Sequence, residues 1–164
     1  MTTKIGIYPG AFDPLTFGHI DIIKRSLNIV DKLIIGVAEN INKKTLLSIE
    51  DRKKLIISDI KTYIKRNKDI SVEIISGLLT DYAEKNNVTC IIRGLRAVSD
   101  FEYEFQMTGM NYQLNPNLET IFLMSSEKNS FISSNFIKEV HKLGGDVSKF
   151  VSKNTIKILD KKNI

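Results

Sequence analysis

Five short runs rich in Ile, Val and Leu alternate with stretches of helical periodicity, and that alternation leaves this chain few possible folds. The runs cover residues 4–8, 32–37, 71–75, 89–92 and 120–124. They lack a polar–apolar rhythm, so they read as strands covered on both faces. Between them, Ile20, Ile23, Leu27 and Val30 share one face of a first helix. Leu55, Ile56, Ile60 and Ile64 stripe a second, which Ser48 is placed to cap, and a short third helix follows Thr80. Ser99-Asp100-Phe101-Glu102 reads as a capping box opening a helix that runs to about Leu114, where Asn115-Pro116 stops it. Ser133 or Ser134 caps the next helix, Gly144-Gly145 ends it, and a last helix runs from about residue 154. With right-handed crossovers this pattern gives a doubly wound parallel α/β sheet in the order 3-2-1-4-5. At 164 residues, with no repeat and no linker, a single domain is expected.

In such sheets ligands bind beyond the carboxyl ends of the strands, at the switch between strands 1 and 4. The polar and glycine-rich stretches do follow strands 1, 4 and 5, at residues 9–19, 93–96 and 125–134. After strand 1, Thr16-Phe17-Gly18-His19 enters a helix at about Gly18. A helix start offers free N–H groups and the positive end of the dipole, and His19 can donate to a phosphoryl oxygen. After strand 4 stands Arg93-Gly94-Leu95-Arg96, in a chain with nineteen Lys and only five Arg. A guanidinium fork grips phosphate in a bidentate way that Lys does not copy, and Gly94 permits close backbone approach. Ordinary salt bridges to Glu102 and Glu104 would also use these arginines. Lys43-Lys44 lies in a polar loop after strand 2, either solvated or reaching the same edge. Ser130-Phe131-Ile132-Ser133-Ser134 suits an N-cap, a phosphate, or both.

Other classes recede. No apolar run reaches transmembrane length, and Met1-Thr2-Thr3 leads straight into a strand, so no secretory leader, no membrane association and a cytoplasmic setting are expected. Cys90 is the one cysteine, in an apolar strand, so a buried inert thiol is expected rather than a disulfide or metal ligand. The net charge of +5 suits anionic ligands, yet Lys149, Lys153, Lys157, Lys161 and Lys162 fit a solvated last helix, and no nucleic-acid surface is expected. His141 reads as a helix-surface residue, Phe101, Tyr103 and Phe105 as packing, and Asp13 as no metal site by itself. HExxH, Walker and GxGxxG signatures are absent. One His, several cations, helix-start amides and no evident general base fit phosphoryl or nucleotidyl transfer to a nucleophile that is already ionised.

Five stretches resemble one family: Tyr8-Pro9-Gly10-Ala11-Phe12-Asp13-Pro14, Thr16-Phe17-Gly18-His19-Ile20-Asp21, Ile92-Arg93-Gly94-Leu95-Arg96-Ala97-Val98, Asp100-Phe101-Glu102-Tyr103-Glu104 and Ser130-Phe131-Ile132-Ser133-Ser134. The family is phosphopantetheine adenylyltransferase of bacterial coenzyme A synthesis. The resemblance implies a Rossmann-like nucleotidyltransferase fold, converting ATP and 4′-phosphopantetheine to dephospho-coenzyme A and pyrophosphate with Mg²⁺, in a homohexamer. It implies that His19 stabilises the transition state at the α-phosphate. Lys43 and Arg93 would bind phosphopantetheine and share in catalysis, Lys43 also steadying the reacting phosphate, with Ala11 and Leu79 beside the substrate. ATP would be held by Ala11, Phe12, His19, Gly94, Leu95, Arg96 and Glu104, and by Asn129, Ser130, Phe131, Ile132, Ser133, Ser134 and Asn135. Three positions depart from the family's habit: Ala11 lacks its usual hydroxyl, Asn129 replaces an aromatic, and Asn135 replaces a small hydroxyl residue. A different adenylyl- or cytidylyltransferase, or a non-catalytic nucleotide- or RNA-binding regulator on the same fold, are the alternatives that Arg93 to Glu104 and His19 argue against.

Overall fold

The structure is a computed structural model that describes residues 3–39, 45–65, 69–96, 98–126 and 131–162, with residues 98 and 99 described by their backbone alone. In chain order the elements are β1 (Ile5–Gly10), α1 (Phe17–Ser26), β2 (Lys32–Ala38), α2 (Ile49–Tyr63), β3 (Asp69–Ile75), α3 (Leu79–Lys85), β4 (Cys90–Leu95), α4 (Val98–Leu114), β5 (Glu119–Met124), α5 (Ser134–Lys142) and α6 (Lys153–Lys161). The five strands form one parallel sheet in the order β3-β2-β1-β4-β5, as the sequence pattern implies.

Alternate residues of each strand serve opposite faces. Leu33, Ile35 and Ile92 join Ile23, Leu27, Leu55 and Ile56 in a core beneath α1 and α2. Ile7, Ile34 and Ile91 join Ala83, Val88 and Leu118 on the other face. Burial on both sides is why the runs are unbroken in Ile, Val and Leu. Cys90 is buried with them, as expected, and burial raises its thiol pKa. A third cluster, Ile132, Ile137, Val147, Val151 and Leu159, anchors α5 and α6. The Phe17 N–H donates to the Phe150 carbonyl at 2.9 Å, and the Asn154 amide donates to Ser58 and Asp59 of α2, which ties this end of the chain to the rest.

One departure from a regular sheet positions everything that follows. β1 pairs with β2 from Ile5 to Gly10, but with β4 only at Gly6 and Ile7. Beyond Ile7 the two central strands part. Pro9 continues β1 past its expected end because its carbonyl faces Arg93, so its missing N–H falls where the ladder has already opened.

The caps hold with small corrections. Ser48 accepts from the Asp51 N–H and opens α2. Of the two candidates for α5, Ser133 is the cap, accepting from the Phe136 N–H at 3.1 Å. Gly144, at φ 80°, and Gly145 close that helix in a Schellman arrangement, donating to the carbonyls of His141 and Val140. The expected capping box at Ser99 is not the start of α4, which already includes Val98 and Ser99. Asp100 turns back instead and accepts from the Arg96 N–H at 3.2 Å, drawing the chain into the helix sooner. α3 likewise includes Leu79, just ahead of Thr80. No helix among the described residues is long and apolar enough to cross a membrane.

Candidate active site

A cavity of about 670 Å³ opens where β1 and β4 part. Its walls are the loop Ala11, Phe12 and Asp13, the start of α1 with Thr16, Gly18 and His19, the end of β4 with Arg93, Gly94 and Arg96, the α4 residues Asp100 and Glu104, and the start of α5 with Ser133, Ser134, Asn135 and Lys138. Two helix N-termini therefore face one space.

His19 is set by the helix that carries it. Thr16 is the N-cap of α1 and His19 its third residue. The His19 N–H donates to Thr16 Oγ1 at 3.4 Å, and the Thr16 N–H donates to His19 Nδ1 at 3.0 Å, a reciprocal capping box in which imidazole takes the place usually held by Glu or Gln. Burial, with the positive charges of Arg96 and Arg93 behind it, lowers the imidazole pKa from 6.5 to about 4. The ring is therefore neutral at pH 7. A neutral ring whose Nδ1 accepts carries its proton on Nε2, and that N–H has no partner among the described residues. Phe12 packs edge-on against the ring with centroids 5.1 Å apart and fixes its plane. The remaining orphan amide of α1 in the wall is that of Gly18, since Phe17 is taken by Phe150 and His19 by its own cap.

The two arginines do not present open forks. Arg93 Nε donates to Glu104 Oε2 at 2.7 Å, its Nη2 pairs with the other oxygen, and Nη1 donates to the Pro9 carbonyl at 2.7 Å. Burial is the largest single influence and disfavours its charge, but the hydrogen bond to Glu104 and the electrostatic pull of Glu104, Tyr8 and Tyr103 together outweigh it and raise its pKa. Arg96 grips Asp100 through Nε and Nη2, at 3.0 and 3.2 Å, and its Nη1 reaches the Ile132 carbonyl at 3.3 Å. Asp100 and Glu104 are one turn apart on α4, so a single helix face holds both cations. The salt bridges that the sequence left as the ordinary alternative are thus real, with Asp100 in place of Glu102. Each guanidinium keeps two N–H groups beyond these bonds.

Asp13 is a buried clamp. Its oxygens accept from the N–H groups of Leu46 and Leu47, each at 2.8 Å, and from Lys138 Nζ at 3.1 Å. All three carboxylates in the wall are therefore engaged, and no described one is free to act as a base. Burial pushes the Tyr8 phenol up, so it stays protonated.

Of the residues singled out in the sequence, Ala11, Phe12, His19, Arg93, Gly94, Arg96, Glu104, Ile132, Ser133, Ser134 and Asn135 line the cavity together. Leu95 lies in the core, Leu79 packs beside the second cluster, and Phe131 stands exposed against Phe150, so these three do not line it. Lys43, Asn129 and Ser130 lie outside the described residues. At Gly94 a Cβ would meet Ile22 Cγ1 at 3.1 Å, so helix–strand packing restricts that position. Sequence reasoning missed Thr16 as a cap, although Thr three residues before His is the capping-box spacing. It missed Lys138, which follows Ser134 by one helical turn. Asp13 gave no local signal, because its partners lie 33 and 34 residues away.

The His19 shift has a consequence for stability. The unfolded chain takes up this proton near pH 6.5 and the folded chain only near pH 4, so acidification across that window favours unfolding. His19→Gln cannot take up that proton. Urea titrations from pH 7 to 4 should show the unchanged chain losing more stability than the variant, and parallel losses would contradict the assignment.

Residues 7–140 match the cytidylyltransferase-like family. A phosphopantetheine adenylyltransferase of Wolbachia pipientis subsp. Culex pipiens is 57% identical over 156 residues, covering 94% of this chain and 90% of the relative. One from Pelagibacter ubique is 50% identical over 161 residues, covering 97% and 98%. The fold matches a solved nicotinic acid mononucleotide adenylyltransferase of Plasmodium falciparum with a TM-score of 0.71, at 18% identity and covering 99% and 97% of the two chains. That likeness speaks for the fold alone, whereas the family match and the relatives settle the membership. The chain belongs to the phosphopantetheine adenylyltransferase family, within the cytidylyltransferase-like proteins.

Proposed function

We propose that this chain uses the cavity between β1 and β4 to transfer the adenylyl group of ATP to 4′-phosphopantetheine, giving dephospho-coenzyme A and pyrophosphate. The observation that carries the chemistry is His19, a neutral imidazole with one free N–H, facing a space flanked by two helix starts. The choice of acceptor is supported by relatives up to 58% identical along nearly the whole chain.

A phosphate monoester is ionised at neutral pH and needs no base. An oxygen of the acceptor phosphate attacks the α-phosphorus in line, a new P–O bond forms, and the bond to the pyrophosphate oxygen breaks. Charge grows on the α-phosphoryl oxygens as this happens. The His19 Nε2–H is positioned to donate to them, and the amides of Gly18 and of the α5 start add fixed positive dipoles. Both arginines are held by α4, but Arg93 also donates to Pro9 of β1 and Arg96 to Ile132 just ahead of α5, so they lean towards different sides of the cavity. This supports Arg93 holding the acceptor and Arg96 the nucleotide. With its carboxylates engaged, the wall does not fit a protein-held metal cage, and the described residues include no group of three or more potential ligands. Mg²⁺ belongs with the nucleotide phosphates, which bind it with water.

The surface of α4 supports self-association. Phe101, Tyr103, Phe105, Met110, Tyr112 and Leu114 are all exposed along this helix, on more than one of its faces, more apolar surface than a solvated helix carries. We infer a homohexamer. Sedimentation equilibrium should give six times 18.6 kDa, and a monomer would refute it.

Incubation with ATP, Mg²⁺ and phosphopantetheine should release pyrophosphate, and nicotinate mononucleotide in its place should not; the reverse pattern would overturn the acceptor. His19→Ala should lower turnover by roughly 10²–10³ while leaving ATP affinity nearly unchanged, the signature of an oxyanion-type donor. In the same kinetics Arg93→Lys should weaken mainly phosphopantetheine and Arg96→Lys mainly ATP, and equal weakening by both would count against the division.

A further inference from the structure

α2 buries an arginine behind the cavity. Arg52 is 2% exposed, and its Nη1 donates to the carbonyls of Ala11 at 2.7 Å and Ala38 at 3.1 Å. Ala38 ends β2 and Ala11 follows β1, so one guanidinium joins the edges of neighbouring strands. Burying this group is costly. Burial works to lower its pKa against the nearby charges of Asp13 and Glu39, and its Nε is buried with no hydrogen-bond partner among the described residues. An apolar side chain of similar length would fill the space without those penalties. What it would not do is hold a carbonyl.

The Ala11 carbonyl matters because of the group across its peptide bond. Among the described residues the only cis bond is Asp13-Pro14, so the Ala11–Phe12 bond is trans. In a trans peptide the C=O and the following N–H point in opposite directions. Arg52 draws the carbonyl towards the buried side, and the Phe12 N–H therefore turns away from it, where Ala11 and Phe12 line the cavity. That N–H has no partner among the described residues. Phe12 sits at φ 49°, a left-handed conformation unusual for a bulky residue, which needs support from its surroundings. A carbonyl that accepts from a charged donor also polarises its peptide and strengthens the attached N–H as a donor.

We propose that Arg52 is a positioning residue: by holding the Ala11 carbonyl it fixes the Ala11–Phe12 peptide with its N–H presented to a phosphate of the bound nucleotide. This rests on the reading that the cavity holds ATP. Arg52→Met removes both donors, and Arg52→Lys keeps the charge without the fork. ATP binding is measured by calorimetry without acceptor, the phosphopantetheine KM by pyrophosphate release at saturating ATP, and folding by thermal melting. The ATP dissociation constant should rise about ten-fold or more in Arg52→Met, the scale of one charge-assisted hydrogen bond, and less in Arg52→Lys. The phosphopantetheine KM should stay within about two-fold, because general loosening would weaken both ligands together. A folded variant that binds ATP as tightly as the unchanged chain overturns the proposal, and so does equal weakening of both ligands. Should Arg52→Met not fold, Arg52→Lys decides by the same comparison. An unchanged chain that fails to bind ATP overturns the reading of the cavity and this inference with it. Where the unchanged chain does bind ATP, any difference in the variants is a property of Arg52 alone.

Discussion

The parting of β1 from β4 after Ile7 is the constraint on which the site depends. A parallel sheet buried on both faces has little room for a polar ligand. Once the ladder between its two central strands ends, the backbone groups beyond it need other partners. Arg93 supplies one by donating to the Pro9 carbonyl. α1 and α5 then bring their N-termini to the opening. The split thus creates the cavity and gathers the groups that line it.

The described wall is close to electrically balanced. Arg93, Arg96 and Lys138 face Glu104, Asp100 and Asp13, each cation on its own carboxylate. This arrangement keeps the cations in place with their desolvation partly offset. It also makes fixed dipoles, rather than spare charge, the part of the wall already free to meet an anion. Gly18, the α5 amides and the neutral imidazole belong to that set.

The sheet and its order were legible because strands buried on both faces leave an unmistakable apolar run, and because polar stretches after strands 1, 4 and 5 mark the switch point. The cluster of His19, Arg93 and Arg96 was legible for the same reason. What the sequence hid were contacts between distant segments. Nothing near Asp13 announces Leu46 and Leu47, and nothing near Arg52 announces Ala11. The start of α4 was misread because Ser99 looks like a cap in isolation, whereas Asp100 bonds the backbone of Arg96. The sequence left the forks of Arg93 and Arg96 either to phosphate or to salt bridges with Glu102 and Glu104, and only the packing of α4 against the end of β4 shows that Glu104 and Asp100 hold them.

The capping box of α1 reaches beyond geometry. Among the described wall residues, His19 is the one side chain whose ordinary titration falls near neutrality. Its displacement to about 4 takes it out of play, and the buried phenol of Tyr8 is displaced the other way. The acceptor is different, since a phosphate monoester loses its second proton at about pH 6. With His19 displaced downward and Tyr8 upward, neither titrates where the acceptor does, so an acid limb of the rate profile near pH 6 would report the second proton of the substrate's own phosphate rather than either of these wall residues.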